Sequence, residues 1–222
     1  MNKKIGIKLS GGADSAIVYY NVCKENPDAE IYVITLGTDA KPYYPMLAAR
    51  VIDKVYELTG VKPVKHITQT IPHSDKGYVT GQELLAQRLE DDYGISVLHD
   101  IYSGISCNCN IPGMLEYFKT HHGLPYYEQQ HGIHSVEYNI RTRDTTRDEE
   151  IDLEKKDVHA PFVLLDKKDV AKAYRKAGVL EELYPNTCSC ESVKELDDDG
   201  YPIHCGECFF CLERYYAFGR LV

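Results

Sequence analysis

Ser10-Gly11-Gly12-Ala13-Asp14-Ser15 stands between the apolar run Ile5-Gly6-Ile7-Lys8-Leu9 and the segment Ala16-Ile17-Val18-Tyr19-Tyr20. This order reads as a strand, a tight turn and the start of a helix, which is an arrangement suited to phosphate. Two adjacent glycines let the backbone approach an anion, and the helix adds its first-turn N–H groups and the positive end of its dipole. The hydroxyls of Ser10 and Ser15 supply further donors, and Asp14 can cap the helix or help to hold magnesium. The GxxxxGK[ST] pattern is missing, so the loop is not of the Walker type. The same residues also suit an ordinary glycine turn with Asp14 as its helix cap.

Cysteines form the second chemical cluster. Cys205, Cys208 and Cys211 follow one another with two residues between each pair, and Cys188 and Cys190 lie upstream. Four thiolates at such spacing predict a tetrahedral zinc site, closed and therefore structural, with an iron–sulfur cluster or disulfides as the competing uses. One of Cys188 and Cys190 completes the set, and the other is left as a free thiol. Phe209, Phe210, Tyr215, Tyr216 and Phe218 around the cluster read as packing.

The elements that must position these groups alternate between strand and helix. A helix over 13–24, a strand over 30–36, a helix over 45–58 stopped at Thr59-Gly60, a strand over 64–68 and a helix over 81–92 are expected. Further strands are expected at 95–98 and 162–165, with a helix over 168–177 closed by Gly178. This alternation predicts an α/β fold with a parallel sheet wrapped by crossover helices. Ligands in such sheets gather at the carboxyl ends of strands, which puts Leu36 in line to meet an adenine and its ribose. The loop from Ser103 and Gly104 through Cys107, Asn108, Cys109 and Asn110 is another strand end; its asparagines suit a purine-like ring or a carboxamide, or simply form a turn. Residues 121–159 are polar and irregular, and they read as a lid whose Arg141, Arg143 or Arg147 reaches phosphate, or as a solvated loop.

The SGGADS segment resembles the SGGxDS signature of the PP-loop ATP pyrophosphatases, which split ATP between its α and β phosphates. The C-terminal segments Pro161-Phe162-Val163-Leu164-Leu165-Asp166-Lys167, Thr187-Cys188-Ser189-Cys190 and Cys205-Gly206-Glu207-Cys208-Phe209-Phe210-Cys211-Leu212-Glu213-Arg214 look like the tail of the 7-cyano-7-deazaguanine synthases within that superfamily. This resemblance implies an adenine nucleotide alpha-hydrolase-like (Rossmann-like) sheet over residues 1–222 as one domain, with a zinc-binding segment at 187–214. It implies that Ser10, Gly11, Gly12, Asp14, Ser15 and Leu36 bind ATP and that Asp14 and Lys167 are catalytic. Ser103, Gly104, Asn108 and Asn110 would bind the substrate, and Cys190, Cys205, Cys208 and Cys211 the zinc. Cys190 is preferred to Cys188 because it matches the family's Ser-Cys step. Lys167 and Arg214 match basic residues of the family, or are surface charges; a lysine facing a triphosphate would stabilise the charge of departing pyrophosphate.

The reaction so implied uses ATP, Mg2+ and Zn2+ to turn a carboxylate on a deazapurine or another small molecule into an amide or nitrile with ammonia. Where the synthases carry a Tyr-Pro-Asp-Cys type sequence, this chain reads Ile105-Ser106-Cys107-Asn108-Cys109, and the acceptor stays open. A sulfur transferase or adenylylsulfate reductase using Cys107 or Cys109, or a non-catalytic nucleotide sensor, are the alternatives. The resemblance also implies a homodimer.

Composition narrows the partners. The chain has 222 residues, 43% hydrophobic and 27% charged, with a net charge of −9 and eight cysteines. An acidic chain with scattered lysines and arginines lacks the basic face that grips nucleic acid, so a small-molecule substrate is expected and direct nucleic-acid binding is not. No run approaches the ~18 apolar residues needed to cross a bilayer, and Met1-Asn2-Lys3-Lys4 leads straight into the first strand, so a cytoplasmic location with no membrane partner is expected.

Overall fold

The structure is a computed structural model that describes residues 2–96, 100–107, 109, 111–121, 159–163 and 165–222. Its centre is a parallel sheet of β1 (Lys4–Lys8), β2 (Glu30–Thr38), β3 (Lys65–Ile71) and β4 (Ile101–Ser103), in the order β3-β2-β1-β4. Around it lie α1 (Ala13–Glu25), α2 (Tyr44–Thr59), α3 (Asp75–Tyr93), α4 (Ile111–His121), α5 (Lys167–Ala177) and α6 (Phe209–Phe218).

Strand alternation decides which helix covers which face. Ile5, Ile7, Ile31 and Val33 pack with residues of α1, α2 and α5, whereas Tyr32, Ile34, Leu36 and Ile67 pack with Leu85 and Leu89 of α3. Each aliphatic side chain buried in this way contributes roughly 1.5–3 kcal/mol. The result is the expected α/β sheet of Rossmann-like kind. Because β1 pairs with β2 on one side and β4 on the other, the chain reverses direction across the sheet at β1. That switch point opens a crevice at the carboxyl ends of β1 and β4, where such sheets bind ligands.

Helix ends follow local chemistry. Gly60 and Gly178 close α2 and α5 in left-handed conformations, and Asp166 caps α5 through a reciprocal pair of bonds with Asp169. Helix α3 starts earlier than expected, at Asp75, because the hydroxyl of Ser74 accepts the N–H of Gly77 at 3.0 Å.

Two expected strands are corrected. Ile95 and Ser96 form no strand: the Asp100 N–H donates to Ser96 O at 3.0 Å, and the Ser96 N–H to the Asp100 carboxylate at 3.3 Å, while Val97 and Leu98 of the expected strand, like Leu164 of the one at 162–165, lie outside the described residues. The fourth strand is instead 101–103, bonded to Gly6, Ile7 and Lys8. Residues 161–163 are also a turn, held by Val163 N to Ala160 O and Leu165 N to Phe162 O. The edge of β4 is satisfied by His159, which exchanges backbone bonds with Ile101 and Ser103. Residues 122–158 of the expected lid, with Arg141, Arg143 and Arg147, lie outside the described residues, as do Asn108 and Asn110. Among the described residues no helix is long and apolar enough to cross a membrane.

Candidate active site

The loop between β1 and α1 is wired by its own serines. Ser15 Oγ donates to Gly12 O at 3.1 Å and accepts the Ser10 N–H at 3.3 Å, so the Ser10 hydroxyl, 3.2 Å away, donates to it in turn. The Gly12 N–H then donates to Ser10 Oγ at 3.3 Å. Gly11 turns the chain at φ 82°, and a Cβ there would stand 2.4 Å from Leu47 Cβ, so only glycine fits this approach to α2. Gly12 occupies the N-cap of α1 without a side-chain cap bond. Asp14 is therefore not the helix cap, since it sits in the first turn and its carboxylate points elsewhere.

That carboxylate accepts Lys167 Nζ on both oxygens at 2.6 Å and the Ser106 hydroxyl at 2.7 Å. Lys167 is the first residue of α5 and is 5% exposed, so it is no surface charge. Burial alone would lower its pKa, but Asp14 and then Glu213 outweigh burial and raise it, keeping the ammonium charged. Glu213 lies 3.8 Å from Lys167 Nζ and accepts the Cys109 N–H at 2.7 Å. Burial pushes its carboxyl up to about 7, against the opposing pull of Lys167.

The loop after β4 closes on the same spot. A Cβ on Gly104 would lie 2.3 Å from Ser15 N and 2.4 Å from Ser15 Cα, so the two strand-end loops touch backbone to backbone. Between them opens a cavity of about 600 Å³. Ser10, Gly12, Asp14, Ser15, Leu36, Ser103, Gly104 and Lys167 line it, which gathers most of the residues expected from sequence. β2 and α3 add Ile34, Gln82 and Leu85, an apolar wall with one amide. Cys107, expected only in the sulfur-transfer alternative, lines it too, as do Ser106, Val163, Ser189 and Phe210, which the sequence does not single out as site residues. Gly11 serves the fold of the loop instead, since its carbonyl accepts the Cys188 N–H at 3.0 Å.

The cysteine segment docks directly on this loop. Besides the Cys188 bond, Ser189 Oγ accepts the Ala13 N–H at 3.5 Å and a guanidinium N–H of Arg214 at 3.4 Å. Arg214 is fully buried and also donates to the carbonyls of Tyr184, Thr187 and Leu221. It is a clamp for the C-terminal segment, not a surface charge.

Cys190, Cys205, Cys208 and Cys211 place their sulfurs within 4.8 Å of one another, with 3.9 Å for both Cys190–Cys208 and Cys205–Cys211. Four zinc–sulfur bonds of about 2.3 Å in a tetrahedron put sulfurs about 3.8 Å apart, so the set fits that ion and is too open for disulfides. The Cys205 and Cys208 N–H groups donate to Cys190 Sγ and Cys205 Sγ, as suits thiolates. Cys188 stands outside the set, 3.9 Å from His204 Nδ1, and burial raises its thiol.

The family model "Queuosine biosynthesis protein QueC" matches residues 135–222. The 7-cyano-7-deazaguanine synthases of Pyrococcus furiosus and Pyrococcus horikoshii are each 41% identical to the chain over 58 residues, and that of Pyrococcus abyssi 38%. The aligned stretch is 26% of this chain and 23% of each relative's length. The C-terminal part of the chain is therefore similar to the QueC-like proteins, and its SGGADS loop, parallel sheet and C-terminal cysteine segment support a likeness to the PP-loop ATP pyrophosphatases.

Proposed function

We propose that the chain is an ATP-dependent adenylating enzyme that releases pyrophosphate and AMP while joining nitrogen to a carboxylate. The observation that carries this reading is the position of Lys167 Nζ, held by Asp14 of the phosphate loop on the wall of the cavity at the sheet's switch point. The β and γ phosphates would rest on residues 10–15, and the adenine against Ile34, Leu36 and Leu85. A carboxylate oxygen of the acceptor attacks the α-phosphorus, the bond to the bridging oxygen breaks, and pyrophosphate leaves with the electron pair. Lys167 stabilises the charge that gathers on it. Ammonia then attacks the acyl carbon and loses a proton, and AMP departs to leave an amide; a second ATP adenylates the amide oxygen with release of pyrophosphate, and the C–O bond then breaks as AMP and two protons leave to form the nitrile. Catalysis here rests on alignment and electrostatics, without a protein nucleophile.

Asp14, on the cavity wall, would offer magnesium a carboxylate beside phosphate oxygens, and the ion would supply charge neutralisation there. The four-cysteine set fits zinc in a structural role, with all four positions filled by sulfur. The acceptor is read, from the name of the relatives, as a carboxylate on a deazapurine. Sulfur transfer is less well supported, because it needs an accessible thiolate. Cys107 Sγ donates to Val163 O at 2.9 Å, and Cys109 is fully buried, with burial and then Glu213 raising its thiol well above the usual range.

Incubation with ATP, magnesium, ammonium and a panel of deazapurine and other carboxylates tests the reading. Pyrophosphate with AMP supports it; ADP with orthophosphate contradicts it.

A further inference from the structure

Glu213 is a buried acid that the reaction above does not use. It lies on α6, two residues beyond Cys211, is 2% exposed, and shares its helix with Leu212 of an apolar cluster. A carboxylate in such a place costs free energy unless it is paired. Its pairs are specific: Oε1 accepts the Cys109 N–H at 2.7 Å, and Oε2 stands 3.8 Å from Lys167 Nζ. The other partner of that ammonium is Asp14.

We propose that Glu213 is a positioning residue for Lys167: it anchors the ammonium to the C-terminal helix while Asp14 is drawn toward the phosphates and their cation. The inference rests on the adenylation reading and adds a residue to it. Lys167 must turn from Asp14 to phosphate oxygens when a nucleotide binds. With Glu213 in place it does so without standing unpaired in a water-poor site. The Cys109 bond ties the loop after β4 to the same carboxylate, so lysine and acceptor-side loop keep one geometry.

The test is a double-mutant cycle on the full chain with Glu213→Gln, Lys167→Met and the double variant. It reads pyrophosphate release and the binding of α,β-methylene-ATP, with zinc content as a check on the neighbouring cluster. Glu213→Gln is expected to lower kcat about tenfold, to move KM for ATP less than about twofold, and to add no further loss in the Lys167→Met background. Equal losses in both backgrounds, or none in either, would overturn the inference while leaving the adenylation reading intact. A wild-type chain that fails to bind the analogue would overturn that reading and this inference with it. If Glu213→Gln is insoluble, the double variant decides: recovery of soluble protein supports the coupling, and continued insolubility overturns it.

Discussion

Lys167 Nζ lies 2.6 Å from each carboxylate oxygen of Asp14, joining the start of α5 to the first turn of α1. The pair is mostly buried, with side chains 6% and 17% exposed. It places a cation beside the N–H and hydroxyl donors of residues 10–15. Replacing Lys167 with Ala should slow pyrophosphate release by about 10²-fold or more. It should also destabilise the chain by about 3 kcal/mol, because a largely buried ion pair is broken by removing one partner. Steady-state kinetics and urea unfolding read the two effects separately; a variant with wild-type turnover would remove Lys167 from the mechanism.

The contact between Gly104 and Ser15 makes a sharper geometric demand. Gly104→Ala puts a methyl carbon 2.3 Å from Ser15 N, well inside any allowed contact. The loops must move apart, at a cost of about 1–3 kcal/mol. Affinity for an ATP analogue should fall by at least about tenfold, since small displacements of a binding loop are expensive. Calorimetric titration checks this, and unchanged affinity would show that the two loops do not shape one site.

The cysteine set predicts one zinc per chain. Cys208→Ser should abolish zinc in elemental analysis and lower the unfolding temperature by several degrees, roughly the effect of losing about 1–2 kcal/mol in a domain of this size. Because Cys188 and Ser189 bond to the phosphate loop, ATP binding should weaken as well. Bound iron with visible absorbance in the wild type would contradict the zinc assignment.

A histidine next to the loop predicts the acid limb of stability. Thr35 Oγ1 donates to Leu9 O at 2.7 Å, so toward His66 Nε2, at 2.8 Å, it accepts, and that nitrogen carries the proton. Burial lowers the His66 pKa below 6.5. A depressed folded-state pKa contributes stability that is present above about pH 6.5 and lost as pH falls through the folded value. Urea midpoints should therefore drop below pH 6.5 in the wild type and flatten in His66→Gln. An equal slope in both proteins would assign the acid limb to other groups.

Much of this was legible from the chain. The glycine pair between an apolar strand and a helix, and the cysteine spacing, each encode their geometry within a few residues, so loop and cluster were found directly. The two misplaced strands share one cause: the apolar runs that begin at Ile95 and Phe162 are too short for periodicity to tell a strand from other buried chain. The true β4 is three residues long, and its pairing with Gly6, Ile7 and Lys8 is a long-range fact. Glu213 was passed over because its chemistry exists only when α6 meets α5 and the loop after β4. Arg214 reads from sequence as a match to a family arginine or as a surface charge, but the acceptors of its hydrogen bonds are carbonyls and hydroxyls of the C-terminal segment. Local spacing reports groups that act together within one turn, and is silent on those assembled by the fold.

The most direct measurement is a crystal structure of the chain with α,β-methylene-ATP and magnesium. The account predicts the β and γ phosphates on residues 10–15, the adenine beside Ile34 and Leu36, and Lys167 Nζ moved from Asp14 onto phosphate oxygen. A nucleotide bound elsewhere, or a cavity left empty at saturating analogue with the Asp14–Lys167 pair intact, would contradict it.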